Sequence, residues 1–188
     1  VAITSYDGKA TVWSTKDGSQ LASVKHHSGS IYTSNYNPKG DKLLISSYDG
    51  AVSVWNTSTL SMLFEIPNHG HPVYIASFSP DGTMIVTAIK NILYVWNASN
   101  GALIYRKQHP MATIYDAHFS PDSKSIALAL GNGSAEILNT KDGSLKLTLI
   151  GHMRPLIKAV FSNTGSMIAT TAWDNTLKVW DAQKGTQL

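Results

Sequence analysis

The chain has 188 residues, 43% hydrophobic and only 14% charged, which is enough apolar material for a packed core and unlike the composition of a disordered segment. Fifteen Lys and Arg against twelve Asp and Glu leave a net charge of +3. The two arginines, Arg106 and Arg154, stand apart and no basic run could track a phosphate backbone, so nucleic acid is not an expected partner. With no cysteine, the chain can have no disulfide framework, thiolate zinc site or thiol nucleophile.

In chain order, short stretches rich in Val, Ile, Thr and aromatics alternate at period two and are punctuated by Asp-Gly, Asn-Gly and Pro-Asp-Gly. That is the pattern of β-hairpins rather than of helices. "VAITSYDGKATVW" reads as a strand, a turn at "SYDG" and a second strand ending on Trp13. The next stretch predicts four strands, a to d, over 32–36, 43–47, 52–56 and 62–66, with "SYDG" again between b and c and Trp55 near the end of c. "FSPDGTMIVTA" leads to Trp96, "FSPDSKSIALA" to Leu138 and "FSNTGSMIATT" to Trp180. The spacings of these five positions are 42, 41, 42 and 42 residues, so one unit of four antiparallel strands recurs almost five times.

A lone four-stranded sheet cannot bury both faces, whereas sheets stacked radially cover one another, as in a β-propeller. The period and the Trp-ending third strand resemble the WD-repeat β-propeller family, and the resemblance spans the whole chain. It implies an all-β propeller with a partial blade over 1–25, blades over 26–67, 68–108 and 109–150, and a partial blade over 151–188. Both ends supply strands b and c, so the expectation is an incomplete arc of a larger propeller.

The same resemblance implies that His27, Ser47, Asp49 and Trp55, and likewise His152, Thr170, Asp174 and Trp180, form hydrogen-bonded tetrads. Ser/Thr, His and Asp could also suggest a catalytic triad. Repetition argues for structure, because a catalytic group is needed once and a brace is needed in every blade; the expectation is no enzyme. The unit of Leu138 has Asn132 and Pro110 in the Asp and His slots, and the unit of Trp96 has Lys90 in the Asp slot while keeping His69, so that blade is expected to be the least well pinned. His26, His27, His69 and His71 lack the carboxylate or Cys company of a metal site, and no cofactor or metal is expected. Asn56, Asn97 and Asn132 begin N-x-Ser/Thr triplets, but two of them follow a Trp at one repeat position, which favours turn chemistry over glycosylation.

Function is therefore sought on the surface. The slot opening strand a holds Tyr32, Tyr74, Tyr115 and Ile157, and the slot before the turn Asp holds Tyr6, Tyr48, Ile89, Gly131 and Trp173. In the family these slots, with a third at Ser30, Pro72, Thr113 and Pro155, project to one rim and contact partners. The resemblance thus implies a scaffold that binds a peptide or protein partner on an aromatic rim built from Tyr6, Tyr32, Tyr48, Tyr74, Ile89, Tyr115, Ile157 and Trp173, as part of a multiprotein complex. The alternative for the aromatics is wedging between blades. The rival functions are an enzyme, which would need residues such as Glu65, Arg106, Asp116 and His118 to converge, and a nucleic-acid binder. No apolar run is long enough to cross a bilayer and no basic-then-apolar leader opens the sequence, so the default location is the cytoplasm, with the nucleus as the alternative.

Overall fold

A computed structural model describes residues 1–67 and 70–188 of the chain. Among these, strands and turns account for the secondary structure and there is no helix, so none is long and apolar enough to cross a membrane. Five antiparallel sheets follow one another. The first holds β1 (Ala2–Thr4), β2 (Lys9–Trp13) and β3 (Gln20–Lys25), and the second β4 (Ile31–Tyr36), β5 (Lys42–Ser47), β6 (Val52–Asn56) and β7 (Met62–Ile66). The third holds β8 (Ile75–Phe78), β9 (Met84–Ile89), β10 (Ile92–Asn97) and β11 (Leu103–Gln108), and the fourth β12 (Ile114–Phe119), β13 (Ser125–Leu130), β14 (Ser134–Asn139) and β15 (Leu145–Ile150). The fifth holds β16 (Leu156–Phe161), β17 (Met167–Ala172) and β18 (Leu177–Asp181), with Trp180 bridging to Gln187. Strand order within each sheet follows the chain, the meander expected when short turns join neighbouring strands.

The sheets pack face to face in chain order and form an open arc of propeller blades. Because each inner sheet is covered on both sides, its second strand is buried along nearly its whole length, as in Leu43, Leu44 and Ile45 of β5 and Ile126 to Leu130 of β13. Alternation then divides the residues between two cores. Leu43, Ile45 and Trp55 face Ala10 and Val12 of the first sheet, while Leu44, Val52 and Val54 face Ala76, Phe78 and Ile85 of the third. Burying each such aliphatic side chain contributes roughly 1.5–3 kcal/mol, so the inter-sheet seams are the main source of stability.

Two irregularities recur at the ends of the strands where the expected surface residues lie. Between strands a and b the ladder slips by one residue at Ile31/Thr33, Ile114/Asp116 and Leu156/Lys158, leaving Tyr32, Tyr115 and Ile157 opposite no partner. Such bulges bend the strand and re-aim a side chain. At the b-to-c turns, Gly8 (φ 77°) and Gly133 (φ 85°) adopt left-handed backbone against the carbonyl oxygens of His27 and His152, where a Cβ would collide.

Candidate functional site

The polar residues singled out in the sequence form braces at the rim end of the sheets. In the second sheet the indole N–H of Trp55 donates to Ser53 Oγ at 2.8 Å, His27 Nε2 lies 2.8 Å from the same oxygen, and His27 Nδ1 lies 3.3 Å from Asp49. Asp49 also accepts the N–H groups of Ser28 (2.9 Å) and Ala51 (3.1 Å), tying the turn to the loop before β4. In the fifth sheet Trp180 donates to Thr170 Oγ1 at 2.8 Å, and His152 joins Thr170 (2.8 Å) to Asp174 (2.9 Å). One proton arrangement satisfies every member: indole N–H to hydroxyl, hydroxyl O–H to Nε2, and Nδ1–H to carboxylate.

Ser47 is not the hydroxyl of this brace. Its Oγ donates to the carbonyl oxygens of Gly29 and Ser30, 3.1 and 3.2 Å away, and Ser53 takes the expected role. The cross-strand ladder explains the exchange. Thr170 stands opposite Lys178 and Thr87 opposite Tyr94, with the hydroxyl on strand b; Ile45 stands opposite Ser53 and Ile3 opposite Thr11, with the hydroxyl on strand c. Either position of the pair faces the indole, so Trp96 donates to Thr87 (3.0 Å) and Trp13 to Thr11 (2.9 Å). Ser53→Ala should therefore destabilise the chain by about 2 kcal/mol, the cost of an unpaired buried donor, and adding Ile45→Thr should restore most of it in urea titrations. No recovery in the double variant would show that the two positions are not equivalent.

In the fourth sheet the pair is Leu128 and Glu136, and no indole is present. His109, adjacent to the expected Pro110 position, is buried with Nδ1 3.5 Å from Glu136, while its Nε2 has no partner among the described residues. Sequence reasoning missed this pair, for which Glu136 two residues before Leu138 was the available signal. In the third sheet His69 lies outside the described residues. Lys90, in the Asp slot, donates to His71 Nε2 at 3.0 Å.

Burial, opposed by the neighbouring carboxylates Asp49 and Glu136, pushes both His27 and His109 below the ordinary histidine value of 6.5, so each is neutral when folded. Unfolded chains bind those protons more readily, so stability should decline as pH falls below about 6.5 toward the lowered folded values. His109→Gln should flatten the decline of melting temperature between about pH 7 and 5; an unchanged slope would exclude His109 as a contributor. The carboxylates act in a lower window, below their ordinary value of 3.8. The Thr176 hydroxyl chiefly holds Asp174 well below the usual carboxylate range, burial opposing and Met153 N–H and His152 assisting. At Asp49 burial pushes upward, but the Ala51 and Ser28 N–H donors and His27 leave it lowered.

The aromatic residues of the expected rim are exposed. Tyr6 is 84% exposed, Tyr48 55%, Tyr74 54% and Trp173 54%, with Tyr32, Tyr115 and Ile157 about two-fifths exposed. Their backbones are tied down: Tyr48 N–H donates to Ser30 O at 2.8 Å and Trp173 N–H to Pro155 O at 3.0 Å. The rings form two groups. Tyr32 lies 4.5 Å from Tyr74 and 6.2 Å from Tyr48, centroid to centroid, and Tyr115 lies 5.5 Å from Trp173.

Ile89 does not belong with them, being 6% exposed within the core between the second and third sheets. The third turn is one residue shorter: Ile89 pairs directly with Ile92, leaving only Lys90 and Asn91 at the tip. Ile89 thus takes the ladder place of Ser47, and the rim place of Tyr48 has no counterpart in that sheet. Glu65 pairs with His26 (3.1 Å) and Asp116 with His118 (3.2 Å), while Asp116 also accepts the Ala159 N–H across the seam at 3.4 Å. Among the described residues no group of three or more His, Asp or Glu side chains is placed to hold a metal ion.

Comparison with known proteins agrees with this geometry. A search of curated proteins found no match. The family model described as WD domain, G-beta repeat matches residues 18–56, 60–97 and 143–181, which is more than half of the sequence, and each match ends at or just beyond one of the tryptophans Trp55, Trp96 and Trp180. With five meander sheets in an arc, the Trp-centred braces and these three matches, the chain belongs to the WD-repeat β-propeller family.

Proposed function

We propose that this chain is a non-catalytic scaffold that binds a peptide or protein partner on its aromatic rim and holds it within a multiprotein assembly. WD repeats commonly mediate protein–protein interaction, and the observation that supports a rim site here is the exposure of six aromatic side chains, Tyr6, Tyr32, Tyr48, Tyr74, Tyr115 and Trp173, at one end of consecutive sheets. Tyr and Trp offer large contact area with few rotatable bonds and a polar tip, and dominate binding hot spots. The alternative of wedging between blades is disfavoured by that exposure: the seams are filled by aliphatic residues and by Phe78, Phe119 and the brace tryptophans Trp55, Trp96 and Trp180. His27, Asp49, Trp55, His152, Thr170, Asp174 and Trp180, with Ser53, act as braces that hold the rim turns in place rather than as contacts. Affinity capture with the wild-type chain and with Trp173→Ala and Tyr48→Ala tests this reading: the partner recovered by wild type should be depleted with both variants, and equal recovery would refute it.

A further inference from the structure

The short third turn leaves a gap in the rim. Between the ring group ending at Tyr74 and the one beginning at Tyr115 lies a cleft of about 390 Å³, walled by Pro72, Tyr74, Ala88, Ile114 and Tyr115. Its size is that of a small ligand or side-chain pocket. Lys90 and Thr113 also line a neighbouring open recess of about 640 Å³, which runs on past Asn91, Pro110 and the 91% exposed Met111. The two recesses share Lys90 and Thr113 and so adjoin as one groove across the seam between the third and fourth sheets.

The chemistry of this groove is one-sided. His71 and Lys90 are its ionisable basic groups, and no carboxylate lines either recess. In the second and fifth sheets the corresponding turns carry Asp49 and Asp174, both engaged with a histidine of the preceding loop. In the third, the ammonium of exposed Lys90 meets His71 Nε2 at 3.0 Å, and among the described residues no acid pairs with it. An ammonium has three protons to donate, so at least one remains for a ligand oxygen beside an apolar wall that shields the contact from water.

Building on the rim reading, we infer that this groove receives an extended segment of the protein partner, seating an apolar side chain between Tyr74 and Tyr115 and an adjacent Asp or Glu carboxylate on Lys90. A carboxylate suits the site better than a phosphate, because a single ammonium is a point charge and lacks the planar fork with which arginine clusters take phosphate.

Lys90 adopts left-handed backbone (φ 54°), and Asn175 does the same (φ 63°) in the fifth-sheet turn, so Lys90→Asn removes the charge while keeping a residue suited to the turn. Short random peptides displayed on phage should be selected on the wild-type chain, and a winning peptide measured by fluorescence anisotropy beside its carboxylate-to-amide counterpart and a phosphoserine version. Winners should pair an acid with an apolar neighbour. Lys90→Asn and the amide peptide should each bind about tenfold more weakly than the parent pair, and together no weaker than either alone, the signature of one shared contact. An amide peptide that binds as well as the acid, full affinity in Lys90→Asn, a preference for phosphoserine, or no selected peptide at all would each overturn the inference. The rim reading fails separately, if Trp173→Ala and Tyr48→Ala leave partner capture unchanged whatever Lys90 does.

Discussion

Replacing Trp55 by alanine should lower the free energy of unfolding by about 4 kcal/mol, the usual scale for emptying a buried indole site. Trp55 packs with Leu43 and Ile45 of its own sheet against Ala10 and Val12 of the first, so the cavity would open in the seam itself. Ile31 closes the same cluster, which leaves little freedom for the walls to collapse. The polar brace would lose its donor to Ser53, although Ser53 and His27 still satisfy each other. Single domains are stable by only about 5–15 kcal/mol, so this one change would remove a large share. Trp55→Leu copies the natural arrangement at Leu138 and should recover roughly half of the loss, since the apolar contact returns but the hydrogen bond does not. Urea titration followed by far-ultraviolet circular dichroism measures both. A loss below about 1 kcal/mol for alanine would mean that the seam between the first two sheets contributes little.

Trp173→Ala is expected to act in the opposite place. A hot-spot tryptophan contributes about 2 kcal/mol or more to binding, so affinity for the partner should fall roughly thirtyfold. Stability should change by less than about 0.5 kcal/mol, because Trp173 is 54% exposed and its ring contact is with Tyr115 rather than with the core. Its main-chain N–H still donates to Pro155 O whatever the side chain, so the turn survives the substitution. Tyr48→Ala should show the same split with a smaller loss. Surface plasmon resonance against the captured partner and thermal unfolding of each variant separate the two quantities. A large drop in melting temperature with unchanged affinity would assign Trp173 to structure and leave the rim without its strongest anchor.

Much of this architecture was legible in the residues because repetition multiplies weak signals. One Trp-ending strand proves little, whereas a 41 to 42 residue period carried by turns and tryptophans together sets the strand boundaries almost to the residue: the strands expected over 52–56 and 62–66 are β6 and β7. The exposed Tyr and Trp slots were equally legible, since a turn needs Gly for its backbone and has no use for a large ring. Ser47 and Ile89 show where that reasoning stops. Both were placed by counting along one strand, and both are decided across two. The indole of Trp55 reaches the hydroxyl on its own strand, two residues back on the same face, because the facing position on β5 is Ile45. Ile89 points inward because the third hairpin tip is one residue shorter, so the residue before Lys90 is the last of the ladder, in the place of buried Ser47, rather than a tip residue like Tyr48.

By itself, then, the order of residues determined the all-β class, the repeating antiparallel meander and the exposure of the turn aromatics, because these depend on local periodicity and turn chemistry repeated along the chain. Tertiary structure alone decided which hydroxyl completes each brace, that His109 is buried against Glu136, and that a basic groove opens between Tyr74 and Tyr115. Each of those depends on which residue stands opposite or beside another across strands or sheets, set by ladder register and by a bulge or a shortened turn. A one-residue slip there costs the sequence pattern almost nothing and moves a side chain from the surface to the core.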